Sequence, residues 1–123
     1  MLTIDEVLED FARYVGCNVE EVSVNARSPD GVTPLHWMAV LGDGKAIRLL
    51  AASGADLSAT DASGNTALHG AIINRQVSAA EVLIALGAPV GVRNSSGLTA
   101  QELAIRDAYK PAIALFSGSV GHA

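Results

Sequence analysis

The sequence predicts an all-α solenoid, in which helix pairs joined by short hairpin loops stack at a period of 33 residues. Three observations predict it. Residues 31–36 (GVTPLH) return 33 positions on as residues 64–69 (GNTALH), and Gly97-Leu98-Thr99-Ala100 stands a further 33 along. The same offset joins Ser53-Gly54-Ala55 to Leu86-Gly87-Ala88, Leu49-Leu50 to Val82-Leu83 and Leu115-Phe116, and residues 24–27 to 57–60 and 90–93. Composition agrees. Half of the 123 residues are hydrophobic but only 4% are aromatic, so the core is aliphatic and alanine-rich, which suits close-packed helices and excludes a disordered chain. Twelve Gly against four Pro fit regularly spaced turns better than a low-complexity linker.

Each element follows in order. Ile4, Val7, Leu8, Phe11, Ala12 and Val15 recur at spacings of three and four, one apolar helical stripe, with Asp5, Glu6, Glu9 and Asp10 largely off it. Thr3 and Glu6 are spaced as a capping box. This helix is expected to lie as a lid over the first repeat, because an array cannot leave its end layer bare. Thr33, Thr66 and Thr99 stand where a hydroxyl caps a helix start. Pro34 takes the first helical position, where its missing N–H does no harm. First helices are expected over 34–41 and 67–74, and second helices over 45–53 and 78–86. Gly42, with Gly44 nearby, lets the chain reverse between them. Gly54 and Gly87 suit the left-handed position just past a helix end. Residues 61–64 (DASG) and 94–97 (NSSG) read as tight turns at the tips of finger-like hairpins. In the third unit Thr99 and Glu102 form a capping box, Pro111 opens the second helix and Gly118 ends it early. The chain then divides, as a single domain, into a capping helix with a half repeat (1–27), two repeats (28–60 and 61–93), a C-terminal capping repeat (94–118) and a tail (119–123).

Thr33-Pro34-Leu35-His36 matches the core of the motif T-P-L-H-x-A, and Thr66-Ala67-Leu68-His69 departs from it only at the proline. Residues 99–104 (TAQELA) lose the Leu and His but keep the Thr and the later Leu-Ala. On these residues the chain resembles the ankyrin-repeat family over roughly residues 22–117. The resemblance implies a rigid concave support that meets partners through its hairpin tips and the exposed side of each first helix. Carried across by register, the expected contact residues are Pro29, Asp30, Val32, Val40 and Leu41 in the first unit, and Ser63, Asn65, Ile73 and Asn74 in the second. The third offers Ser96, Leu98, Arg106 and Asp107. Val32, Val40, Leu41, Ile73 and Leu98 stand out, because solvent calls for polar residues at such places; together they point to a protein-binding patch. The resemblance also implies that His36 and His69 hydrogen-bond to the neighbouring hairpin's backbone. A shared zinc is disfavoured, since layers about 8–10 Å apart do not bring two imidazoles to within about 2 Å of one ion. Trp37, Gly70 and Leu103 fall in one column, so the indole is expected to fill the space that Gly70 leaves. Trp37 reads as a core anchor, with a partner hot spot as the alternative.

Charge and composition exclude several function classes. Eight Lys and Arg, in a chain of net charge −5, make a poor nucleic-acid binder. Asp5, Glu6, Glu9, Asp10, Glu20 and Glu21 against Arg13 account for the whole −5; the remaining chain balances seven acids with seven bases. That acidic end either steers a basic partner or is a solvated face. Cys17 stands alone, so it forms no intrachain disulfide and reads as an inert packed thiol in preference to a nucleophile. Scattered carboxylates form no obvious acid–base pair, no glycine-rich loop has phosphate-binding spacing, and His122 belongs to the expected tail. The acidic start is the reverse of an export signal, and the longest apolar runs are far too short to cross a bilayer.

The expectation is therefore a cytoplasmic protein and not an enzyme, with no catalytic or metal-binding residues, no cofactor and no small-molecule substrate. It is also expected to engage neither nucleic acid nor membrane. Its partner is another protein, in particular a basic toxin or enzyme. The chain opens at Met1 with no second domain in view, which favours an inhibitor that covers one target over a tether joining two. Resemblance and charge together imply an immunity or antitoxin protein against a cognate toxin; a regulatory adaptor or chaperone subunit of a larger complex is the alternative.

Overall fold

Three threonines, 33 residues apart, open three helices in the same way. In the computed structural model, which describes residues 3–16, 23–107 and 109–120, Thr33, Thr66 and Thr99 have extended backbone. Each hydroxyl accepts the N–H of the third residue on: His36, His69 and Glu102. That third side chain in turn accepts the cap's own N–H, closing a capping box each time. Glu102 does with a carboxylate what the histidines do with Nδ1. The Thr99 N–H, and then Arg93 at 2.8 Å, hold the Glu102 carboxyl below its usual range.

Seven helices are described: α1 (Ile4–Val15), α2 (Pro34–Leu41), α3 (Gly44–Ala52), α4 (Ala67–Ile73), α5 (Val77–Ala85), α6 (Ala100–Arg106) and α7 (Lys110–Val120). No strand occurs among the described residues. α2, α4 and α6 stack as one row and α3, α5 and α7 as another, while α1 packs on both α2 and α3. Leu35, Ile47, Leu50, Leu68, Ile72, Leu83, Leu103 and Phe116 run through one continuous core with the buried alanines 39, 46, 71, 79, 80 and 104. Those small side chains let neighbouring helices approach closely.

The helix bounds lie within a residue of expectation until the end. α3 starts one residue early because Asp43, whose carboxylate accepts the Ala46 N–H, is the cap. α4 stops at Ile73 with Asn74 as its C-cap. At α1 the Thr3 hydroxyl accepts the Glu6 N–H, but the Glu6 carboxylate meets that hydroxyl instead of the Thr3 backbone, so the box is only half made. Gly118 does not end α7, which continues to Val120. A helical glycine costs about 1 kcal/mol relative to alanine and stops a helix only where its backbone turns left-handed.

Layers are tied through the hairpin fingers. Ser28, Asp61 and Asn94, again 33 apart, each accept backbone N–H groups two and four residues on, which folds the finger tips into tight turns. The Ala62 N–H donates to the Asp30 carbonyl and the Ser95 N–H to the Ser63 carbonyl, so each finger bonds to the one before. In this register the first finger carries Pro29, which has no N–H to offer.

The histidines complete the lacing. His36 Nε2 lies 2.8 Å from the Asn65 carbonyl and His69 Nε2 2.9 Å from that of Leu98, in the expected neighbouring hairpins. A carbonyl only accepts, so Nε2 carries the hydrogen and Nδ1 is the acceptor for the threonine. Burial lowers the His36 pKa from the ordinary 6.5; Arg27 and His69 add to this, and it prevails over the Asn65 carbonyl and Asp61, which act the other way. The unfolded chain therefore takes up a proton that the folded chain refuses. Stability from this site is complete above pH about 6.5 and is lost progressively as pH falls from there to the lower folded pKa. Urea unfolding between pH 5.5 and 7.5 is expected to show a steeper acid loss for the native chain than for His36→Gln; equal slopes would contradict the assignment.

One packing expectation is overturned. Trp37 does not lean onto Gly70 in the next layer; it turns back to α1, where its ring centroid lies 6.3 Å from Phe11 and 5.0 Å from Tyr14. A Cβ at Gly70 meets only Val40 Cγ2, at an unstrained 3.6 Å. Gly70→Ala is therefore expected to stabilise the protein by about 1 kcal/mol through helix propensity, raising Tm by a few degrees. A fall in Tm would show that the site is closed.

Candidate functional site

The expected contact residues divide into three groups. Pro29, Asp30, Ser63 and Ser96 are exposed at the finger tips. Leu41 and Ile73 are 54% and 47% exposed at the C-terminal ends of α2 and α4, with Asn74, Arg106 and Asp107 exposed beside or beyond them in the same row. Arg106 and Asp107 pair with each other at 3.3 Å, and the Asn74 amide donates to the Gly70 carbonyl at 2.9 Å.

The third group faces inward, which corrects the expectation of five solvent-facing aliphatic groups. Val32 packs against the Phe11–Ala12 cluster under α1, and Leu98 against the main core. Val40 is half-buried beside Gly70. Asn65, in the same column as Val32 and Leu98, is engaged internally: its carbonyl meets His36, its N–H donates to Asp61, and its side-chain oxygen accepts the Asn94 amide at 3.0 Å. The reason is the column itself. Positions 32, 65 and 98 lie just before the capping threonines, where the finger returns to its helix and its side chain turns in.

Two features of this face were not expected from the sequence. Tyr14 is 52% exposed yet stacks on the half-buried Trp37 with ring planes 17° apart, over the buried Phe11. Its position beside Phe11 but off the apolar stripe of α1 was the available signal. At the other end, Arg75 takes the left-handed backbone that Gly42 takes one unit earlier, with φ of 58° against 77°. Tyr109 holds it, donating its hydroxyl to the Arg75 carbonyl at 2.9 Å and placing its ring 4.7 Å from the guanidinium. Such clamping offsets the roughly 1–2 kcal/mol that a side chain pays in this conformation.

Among the described residues no three His, Cys, Asp or Glu gather as a metal site, and no helix is long and apolar enough to cross a membrane. Cys17, Glu20, Glu21 and His122 lie outside the described residues.

The capping boxes, the histidine-laced fingers and the 33-residue rows are thus all in place. The model of a family described as ankyrin repeats, in three copies, matches residues 6–94. The chain belongs to the ankyrin-repeat family. A search of curated proteins finds no match to it. The ankyrin match begins inside α1 and closes at Asn94, while α6 and α7 continue the same two rows beyond it. Ankyrin repeats mark a protein–protein interaction module, generally without catalysis. In this ankyrin array Leu41 and Ile73 are the exposed aliphatic side chains of the first-helix row α2 and α4.

Proposed function

We propose that the chain is a non-catalytic binding protein that covers and inhibits one partner protein, in the manner of an immunity or antitoxin protein. The observation that carries this reading is the pair of exposed aliphatic side chains, Leu41 and Ile73, on adjacent helices of a stiff row where solvent alone would favour polar groups. A partner needs about 800 Å² on each side for stable binding, within reach of three stacked layers. The acidic charge of residues 1–21 favours a basic target, as a toxin or enzyme acting on nucleic acid would be. On this reading the site residues are Leu41, Ile73, Asn74, Arg106 and Asp107 with the finger tips Pro29, Asp30, Ser63 and Ser96. No cofactor takes part, and the compartment is the cytoplasm.

The test is affinity purification of the tagged chain from the cells that make it, followed by mass measurement of the intact complex. One dominant, basic partner at fixed stoichiometry, whose own activity falls on binding, is the expected result. A chain that emerges alone overturns the reading. Several partners in one assembly would make it an adaptor or chaperone subunit.

A further inference from the structure

We infer that the binding face continues off the repeats onto α1, and that it seats an apolar polypeptide segment flanked by lysine or arginine. This rests on the reading of the first-helix row as the protein-binding surface, and adds to it an aromatic end and a polarity.

The aromatic end is Tyr14. Its ring lies open to solvent but stacks on Trp37, and both rest on the buried Phe11, with centroids 6.1 and 6.3 Å away. A tyrosine braced in this way has little rotamer freedom left to lose on binding, which is what makes aromatic anchors effective. Leu41 follows Trp37 by one helical turn on α2, and Ile73 occupies the adjacent α4. The proposed strip is therefore Tyr14 on α1, Leu41 on α2 and Ile73 on α4, exposed side chains on helices that pack one on the next, aromatic at one end and aliphatic at the other.

Charge sets the direction. Glu6, Asp10 and Tyr14 are spaced i, i+4 and i+8, so they share one ridge of α1, and Glu6 and Asp10 border the aromatic end. α1 carries four acids against Arg13. Arg13 reaches Asp10 at 3.0 Å and offsets one of these charges, which leaves the helix net acidic. At the far end Arg106 and Asp107 cancel each other. A segment lying along the strip thus meets negative potential at α1 and none at α6, which favours basic residues next to the part that covers Tyr14.

The experiment selects binders to the purified full chain from a random-sequence peptide library, then measures their affinity by calorimetry. Enriched peptides are expected to join aromatic or aliphatic residues to Lys or Arg. Tyr14→Ser, Leu41→Ser and Ile73→Ser are each expected to weaken binding about tenfold, with unchanged melting. Glu6→Gln with Asp10→Asn is expected to weaken it about threefold and to flatten its salt dependence. Loss with Leu41→Ser but not with Tyr14→Ser or the acid variants overturns the extension onto α1 and leaves the repeat face standing. Peptides that are acidic, that ignore all these variants or that fail to emerge overturn the proposal, while the complex from native cells decides the broader reading separately. If sedimentation shows a dimer that Leu41→Ser dissolves, the strip belongs to a second copy of the chain and the proposal falls.

Discussion

Leu68→Ala is expected to remove about 3 kcal/mol of unfolding free energy, near the lower end of the range for buried leucines. Leu68 is almost wholly buried in α4, with α2 stacked on one side and α6 on the other. Helices clamped on both sides collapse little into a vacated space, so the cavity term adds to the lost transfer energy. Column mates set the scale: Leu35 is equally buried, whereas Gln101, in the last described layer, is half-exposed and polar. Urea unfolding should show a lower midpoint at unchanged slope. Leu41→Ala, on the open side of α2, should change stability by no more than about 0.5 kcal/mol. A loss below about 1 kcal/mol at Leu68 would mean that the middle layer is not packed as described.

The second large effect lies in the fingers, where three glycines share a left-handed backbone but not their surroundings. Gly31, Gly64 and Gly97 have φ of 78°, 74° and 77°. A Cβ at Gly97 would meet nothing within 4 Å, at Gly31 it would come 3.2 Å from Ala62 N, and at Gly64 it would come 2.8 Å from Ser95 N. All three alanine variants carry the left-handed penalty of about 1–2 kcal/mol. Gly64→Ala must in addition push the third finger away, at the expense of the bond from the Ser95 N–H to the Ser63 carbonyl and its net contribution of about 1 kcal/mol. The expected order of loss is therefore Gly64 over Gly31 over Gly97, with Gly64→Ala near 3 kcal/mol in thermal or chemical unfolding (about 1–2 plus about 1). Equal losses at the three sites would show that the fingers do not touch.

The repeat was legible because its signals are local and recur. A threonine cap, its reciprocal partner three residues on and a glycine past the helix end depend on a few neighbouring residues, so one unit teaches the next. Lateral detail was less legible. A column of positions 33 apart says which residues stack, but not whether a side chain leans to the layer before or after; Trp37 leans back because α1 offers it two aromatic rings. α1 carries no 33-residue counterpart, so no column announced that meeting. The inward turn of Val32, Asn65 and Leu98 depends on how the finger rejoins its helix, a tertiary fact that periodicity does not encode.

Pro29 gives the array a direction. The second finger gives a hydrogen to the first and lends a carbonyl to the third, whereas the first can lend but has none to give. A copied middle unit spliced between the second and third would find both halves of the bond waiting. The same unit set in front of Pro29 would find its carbonyl unanswered. Lengthening, by gene duplication or by an engineer, is therefore easy within the stack and discouraged at its head.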